Sequence, residues 1–122
     1  MATTARILRQ SSWTLFVLIR DGRCAAIEYF ETLTAVECRK LISFIERTAE
    51  LGPLGYREDR NRKLSEHIFE LKPTSQVRLA YFFDGPKRLV ITHGFTKKSG
   101  KTPPAEIARA QTLRAEYLGG SR

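Results

Sequence analysis

The spacing of apolar positions changes period several times along the chain, and each change marks an element. "WTLFVLIR", residues 13–20, is dense in β-branched and aromatic side chains and reads as a strand, with Asp21-Gly22 as the turn behind it. In "AAIEYFETL" the spacing becomes helical, with Ile27, Phe30 and Leu33 near one face. Thr34 followed by Glu37 fits a capping box, in which the two side chains satisfy free backbone amides at a helix start. Cys38, Leu41, Ile42, Ile45 and Ala49 then follow the i, i+3, i+4, i+7 pattern of an amphipathic helix, and Leu51-Gly52-Pro53 stops it. These segments predict a helical hairpin early in the chain.

The second half returns to a period of two. "HIFELK" (67–72), "QVRLAYFF" (76–83) and "RLVITHGF" (88–95) read as strands. Their links, Pro73-Thr74-Ser75 and Asp84-Gly85-Pro86, are short enough for neighbouring antiparallel hairpins. Thr102 stands where it can cap a last helix opened by Pro103, with Ile107, Ala110, Leu113 and Tyr117 on its apolar side and Gly119-Gly120 at its end. "YREDRNRK" (56–63) reads as a charged connector, and residues 1–12 as a loose N-terminal arm. The order β-α-α-β-β-β-α predicts a single α+β domain over residues 1–122, with helices packed on a mainly antiparallel sheet.

Composition narrows the function classes. At 42% hydrophobic over 122 residues the chain can build a core, which excludes general disorder. A formal charge of +8 favours anionic partners such as nucleic acid. The apolar run "LFVLI" is far too short to span a bilayer, so no membrane role and a cytoplasmic location are expected. Cys24 and Cys38 make no disulfide framework, and no His/Cys cluster, P-loop or dinucleotide fingerprint appears, so neither metal nor cofactor is expected.

Candidate chemistry sits in the second half. Strand alternation puts Val77, Leu79, Tyr81 and Phe83 on one face and Gln76, Arg78, Ala80 and Phe82 on the other. A guanidinium in mid-sheet needs an acidic partner, for which Glu70 is the internal candidate, or an external anion. Lys97, Lys98 and Lys101 follow the last strand, and Lys63 opens the hairpin series. These cations either gather with the helix start around a phosphate or form a solvated charge run. His93 shares parity with Leu89 and Ile91, so it is either a hydrogen-bonded core histidine or a proton-transfer group. The interleaved rings Phe69, Tyr81, Phe82 and Phe95 can stack on bases or fill the core.

"LGPLGYREDRNRKLSEHIFELK", "QVRLAYFFDG" and, most specifically, "HGFTKKSGKTPPAEI" are similar in order and spacing to the phage-derived branch of RelE/HigB-like toxins. The resemblance runs from about residue 14 to 118. It implies a RelE-like fold: two helices against a four-stranded, mainly antiparallel sheet, plus a C-terminal helix. It also implies the toxin half of a type II toxin–antitoxin pair, cutting mRNA on the ribosome and neutralised by a HigA-like helix-turn-helix antitoxin. The family's central-strand arginine falls on Arg78, its Gly-Phe-x-Lys-Lys element on Gly94, Phe95, Lys97 and Lys98, its Lys-Leu pair on Lys63-Leu64, and its helix-start glutamate on Glu106. The sequence departs from the pattern at His67, where glycine is usual, and at Lys72, which keeps the charge of an arginine without its bidentate fork.

On that footing the expected reaction is attack by the RNA's own 2′-OH, which requires no metal. Arg78 would stabilise the phosphate, Lys97 and Lys98 would hold the backbone, with one of them protonating the leaving group, and His93 or Glu106 would act as base. Lys63, Lys101 and Phe95 would bind RNA. Two other readings share these features: a ParE-like gyrase-inhibiting toxin, and a phage-derived nucleic-acid-binding module without catalysis.

Overall fold

The structure, a computed structural model, describes residues 3–53, 60–98 and 100–120. Its strands are β1 (Thr3–Gln10), β2 (Thr14–Arg20), β3 (Asn61–Lys63), β4 (Phe69–Leu71), β5 (Val77–Phe83) and β6 (Arg88–Thr96). Its helices are α1 (Ala25–Phe30), α2 (Ala35–Leu51) and α3 (Pro104–Gly120). The strands form one six-stranded sheet in the order β1-β2-β6-β5-β4-β3. Every neighbouring pair is antiparallel except β2 and β6, which run parallel.

Both faces of this mixed sheet are covered. On one, Leu15, Val17, Leu79, Tyr81, Leu89 and Ile91 pack with Leu41, Phe44, Ile45 and Ala49 of α2. On the other, Leu18, Ala80, Phe82, Val90 and Phe95 pack with Ala110 and Leu113 of α3. Burial of two sheet faces explains why β5 and β6 read as nearly continuous apolar runs. Among the described residues no helix is long and apolar enough to cross a membrane.

The architecture differs from expectation in four ways. The sheet has six strands rather than four, and it is mixed. Residues 3–10 are a strand, not a loose arm: β1 is an edge strand that leaves Arg6, Ile7 and Arg9 exposed and carries a bulge at Leu8, so its alternation is faint in the sequence. Within the charged connector, Asn61–Lys63 forms the opposite edge strand, while residues 56–59 lie outside the described residues. The helical hairpin is not matched exactly either: α1 has six residues beside the seventeen of α2. The shorter α1 lies against β6 and β2, and its Ala26 and Phe30 join the core that the longer α2 covers.

Other local features follow the sequence closely. The capping box at the start of α2 is complete, with Glu37 N donating to Thr34 Oγ1 at 3.1 Å and Thr34 N to Glu37 Oε1 at 3.0 Å. Phe44 takes the core position expected of Ile42, which is 58% exposed. Gly52 ends α2 at φ 84°, where a side chain would also collide with the Trp13 indole.

Candidate nucleic-acid interface

Arg78 lies near the start of β5, on the α3 face, and pairs in register with Phe95. Lys97 follows two residues beyond Phe95 and donates its backbone N–H to Gln76 O at 2.8 Å. The two cations are thus diagonal neighbours across the sheet, with a backbone separation on the order of 7–8 Å. Both are mostly covered, Arg78 at 9% and Lys97 at 8% exposure.

The guanidinium of Arg78 is pinned along one edge. Its Nη1 donates to Thr74 O at 2.9 Å and to Val77 O at 3.0 Å. Glu70 Oε2 stands 4.0 Å from Nε, too far for a hydrogen bond, and neither of those two atoms has another partner among the described residues. Instead, Glu70 is held by the Thr102 hydroxyl, which donates to Oε1 at 2.8 Å. Thr102 therefore spends its side chain tying the loop before α3 to the sheet rather than capping the helix. Nη2 makes no hydrogen bond to a described residue, which leaves that edge available to an external acceptor.

A bulge in β6 sets the surroundings of Arg78. Ala80 pairs with His93 and Tyr81 with Ile91, so Thr92 is an extra residue, and beyond it the facing of β6 inverts. His93 and Phe95 therefore join Arg78 and Ala80 beneath α3, although parity with Leu89 and Ile91 placed His93 on the opposite face. Gly94 instead turns toward α1, where the Tyr29 ring occupies the space of its missing side chain. The Tyr29 hydroxyl pairs with Thr96 Oγ1 at 2.9 Å. Burial raises the pKa of Tyr29, against the pull of its hydrogen bond to Thr96 and, more weakly, the charge of Arg78.

His93 is fully buried. Its Nε2 lies 3.0 Å from Glu106 Oε1 and its Nδ1 3.0 Å from Thr92 Oγ1. Burial, reinforced by the charge of Arg109, lowers its pKa despite the opposing pull of Glu106, so the ring is neutral near pH 7. A neutral ring facing a carboxylate carries its proton on Nε2 and donates it to Glu106, which leaves Nδ1 unprotonated beside Thr92 Oγ1, a hydroxyl that also lies 3.3 Å from Ala80 O. The arrangement is that of a hydrogen-bonded core histidine, and Glu106, with 30% of its side chain exposed, is the member that reaches solvent.

The remaining cations divide. Lys98 and Lys101 are exposed in the loop between β6 and α3. Lys63 pairs with Phe69, and Phe69 with Tyr81, so the register puts it on the α2 face, opposite Arg78. Arg62, its neighbour, is the residue on the Arg78 face. Phe95 is 6% exposed and packs against His93, with ring centroids 5.6 Å apart, so it offers no free stacking surface. Three contributors went unnoticed in the sequence: Tyr29, Thr74, which acts through its carbonyl, and Thr102, whose role in anchoring Glu70 carries no local pattern.

The family model for phage-derived Gp49-like proteins matches residues 28–115, most of the chain. The chain belongs to the Gp49-like family. That family is associated with toxin–antitoxin modules. A search of curated proteins gave no significant relative. The Gp49-like segment takes in Tyr29, the whole of α2 and every candidate residue from Lys63 to Glu106, while β1 and β2 precede it. The Gp49-like region thus supplies the cationic end of the sheet, and the strands before it extend that sheet by one antiparallel pair.

Proposed function

We propose that this chain is the toxin of a type II toxin–antitoxin pair and cuts mRNA on the ribosome through attack of the RNA's own 2′-OH. The observation that carries this reading is the mid-sheet Arg78, pinned along one edge with Nη2 left over, diagonal to Lys97 at the mouth of a lysine-bearing loop. Preorganised donors of this kind stabilise the extra negative charge on phosphorus as the 2′ oxygen attacks. Glu106 takes the proton from the 2′-OH, and His93, through its Nε2–H, holds the Glu106 carboxylate in place as a positioning residue. Lys97 protonates the leaving 5′ oxygen, while Lys98 and Lys101 hold the backbone on either side. Lys63 and Phe95 stand outside this cluster. A helix-turn-helix antitoxin of the HigA type is the partner that keeps such a toxin silent.

The test is induced expression with mapping of mRNA 5′ ends, wild type against Arg78→Ala, with circular dichroism on both purified proteins. Wild type produces cuts at defined positions within codons. Arg78→Ala folds but loses at least about 10²-fold in cleavage, the scale of one positioned catalytic contact. Full activity in a folded Arg78→Ala protein, or inhibition of gyrase supercoiling without RNA cuts, refutes the proposal.

A further inference from the structure

A cationic hollow lies on the other side of the loop that holds Arg78. Its walls are Arg39, Lys40 and Ser43 of α2, Arg60 before β3, and Thr74 and Ser75 of the β4–β5 loop, around a cavity of about 530 Å³. No described lining residue is a carboxylate. Arg39 and Lys40 are exposed, and no ion pair occupies either among the described residues. Arg60 fastens the loop from beneath, with Nη1 donating to Lys72 O at 3.0 Å and Pro73 O at 2.9 Å. The Thr74 hydroxyl accepts from Val77 N at 3.0 Å, which fixes the loop from within. This is a hollow with cations on two walls, hydroxyl-bearing side chains between them and a braced rim.

From this arrangement we infer that the hollow binds the phosphodiester backbone of single-stranded RNA. It would guide the strand on toward Arg78. The link is Thr74, whose carbonyl accepts from Arg78 while the residue itself lines the hollow. A strand bound there is delivered over the β4–β5 loop to the cationic end of the sheet. The inference rests on the reading of Arg78 as a phosphate contact, and it adds a separate site that acts before the chemistry. An acidic protein segment is the competing occupant. The braced loop favours RNA, since it joins this hollow directly to the reacting centre.

The experiment is fluorescence anisotropy with a labelled 2′-O-methyl RNA of ten nucleotides, which lacks the nucleophile and stays intact during titration. Wild type is compared with Arg39→Ala/Lys40→Ala and with Lys40→Glu, each checked by thermal melting, across a range of KCl. Loss of two phosphate contacts lowers the slope of log K against log salt by about 1.4 and weakens binding roughly 20-fold at 100 mM KCl. Unchanged affinity and slope in the double variant overturn the inference, as does an unchanged slope with Lys40→Glu. Binding and cleavage are read separately. A wild type that binds with the full salt slope but leaves mRNA uncut removes the nuclease reading and keeps the hollow. Normal cutting with an unaffected double variant removes the hollow alone.

Discussion

Gly94→Ala tests the packing of α1 on the sheet. A methyl group at this position would lie 2.2 Å from Tyr29 Cδ2, 2.8 Å from Cε2 and 2.9 Å from Cγ. Carbon atoms do not approach so closely, so the ring must retreat by about 1 Å or more, straining its hydroxyl contact with Thr96. Overpacking of this kind costs about 1–3 kcal/mol. Alanine also recovers roughly 0.5–1 kcal/mol that glycine loses in a strand interior. The net expectation is a loss of about 0.5–2 kcal/mol, or roughly 2–8 °C in Tm for a domain of this size. The decisive arm repeats the substitution in a Tyr29→Ala background, where the obstructing ring is gone. There Gly94→Ala is neutral or stabilising by up to about 1 kcal/mol, giving a coupling energy of about 1–3 kcal/mol. Urea unfolding followed by far-ultraviolet circular dichroism measures all four proteins. Equal losses in the two backgrounds would show that the ring does not set the requirement for glycine, and the account would fail.

Two further outcomes follow from the same structure. His93 has a folded pKa below its ordinary 6.5, so its neutral form contributes stability that is complete above about pH 6.5 and is lost as pH falls toward the depressed value. Melting temperature therefore declines between pH 7 and 5, and His93→Gln flattens that decline; a variant with the wild-type pH slope contradicts the assignment. Thr34→Ala removes one half of the capping box and costs about 1 kcal/mol, read as a lower urea midpoint at unchanged m, and an unmoved midpoint would mean the box contributes no stability.

Features that depend on neighbours in sequence were legible, and features that depend on sheet register were not. The capping box at Thr34 and Glu37, the stop at Gly52, the extents of β5 and β6 and the facing of Arg78 all rest on short-range spacing, and all appear as expected. The edge strands were hidden for a physical reason. With one neighbour and much solvent, β1 and β3 carry charges where a central strand carries valine or leucine. His93 was placed on the wrong face because one extra residue, Thr92, reverses the alternation, and nothing in "VITHGF" announces a bulge. Lys63 shows the same weakness: its charge is plain in the sequence, while its side of the sheet is decided by pairing with Phe69. Thr102 looked like a helix cap because its partner, Glu70, is brought to it only by the tertiary fold.

The parallel seam between β2 and β6 has a consequence for biosynthesis. Thr14–Val17 can meet Arg88–Ile91 only after nearly three quarters of the chain has left the ribosome. Until then the early strands lack their inner neighbour, and ordering the long intervening loop goes unrewarded. The cationic end of the sheet, assembled from the late strands and the loop before α3, is therefore the last part of the sheet to be completed.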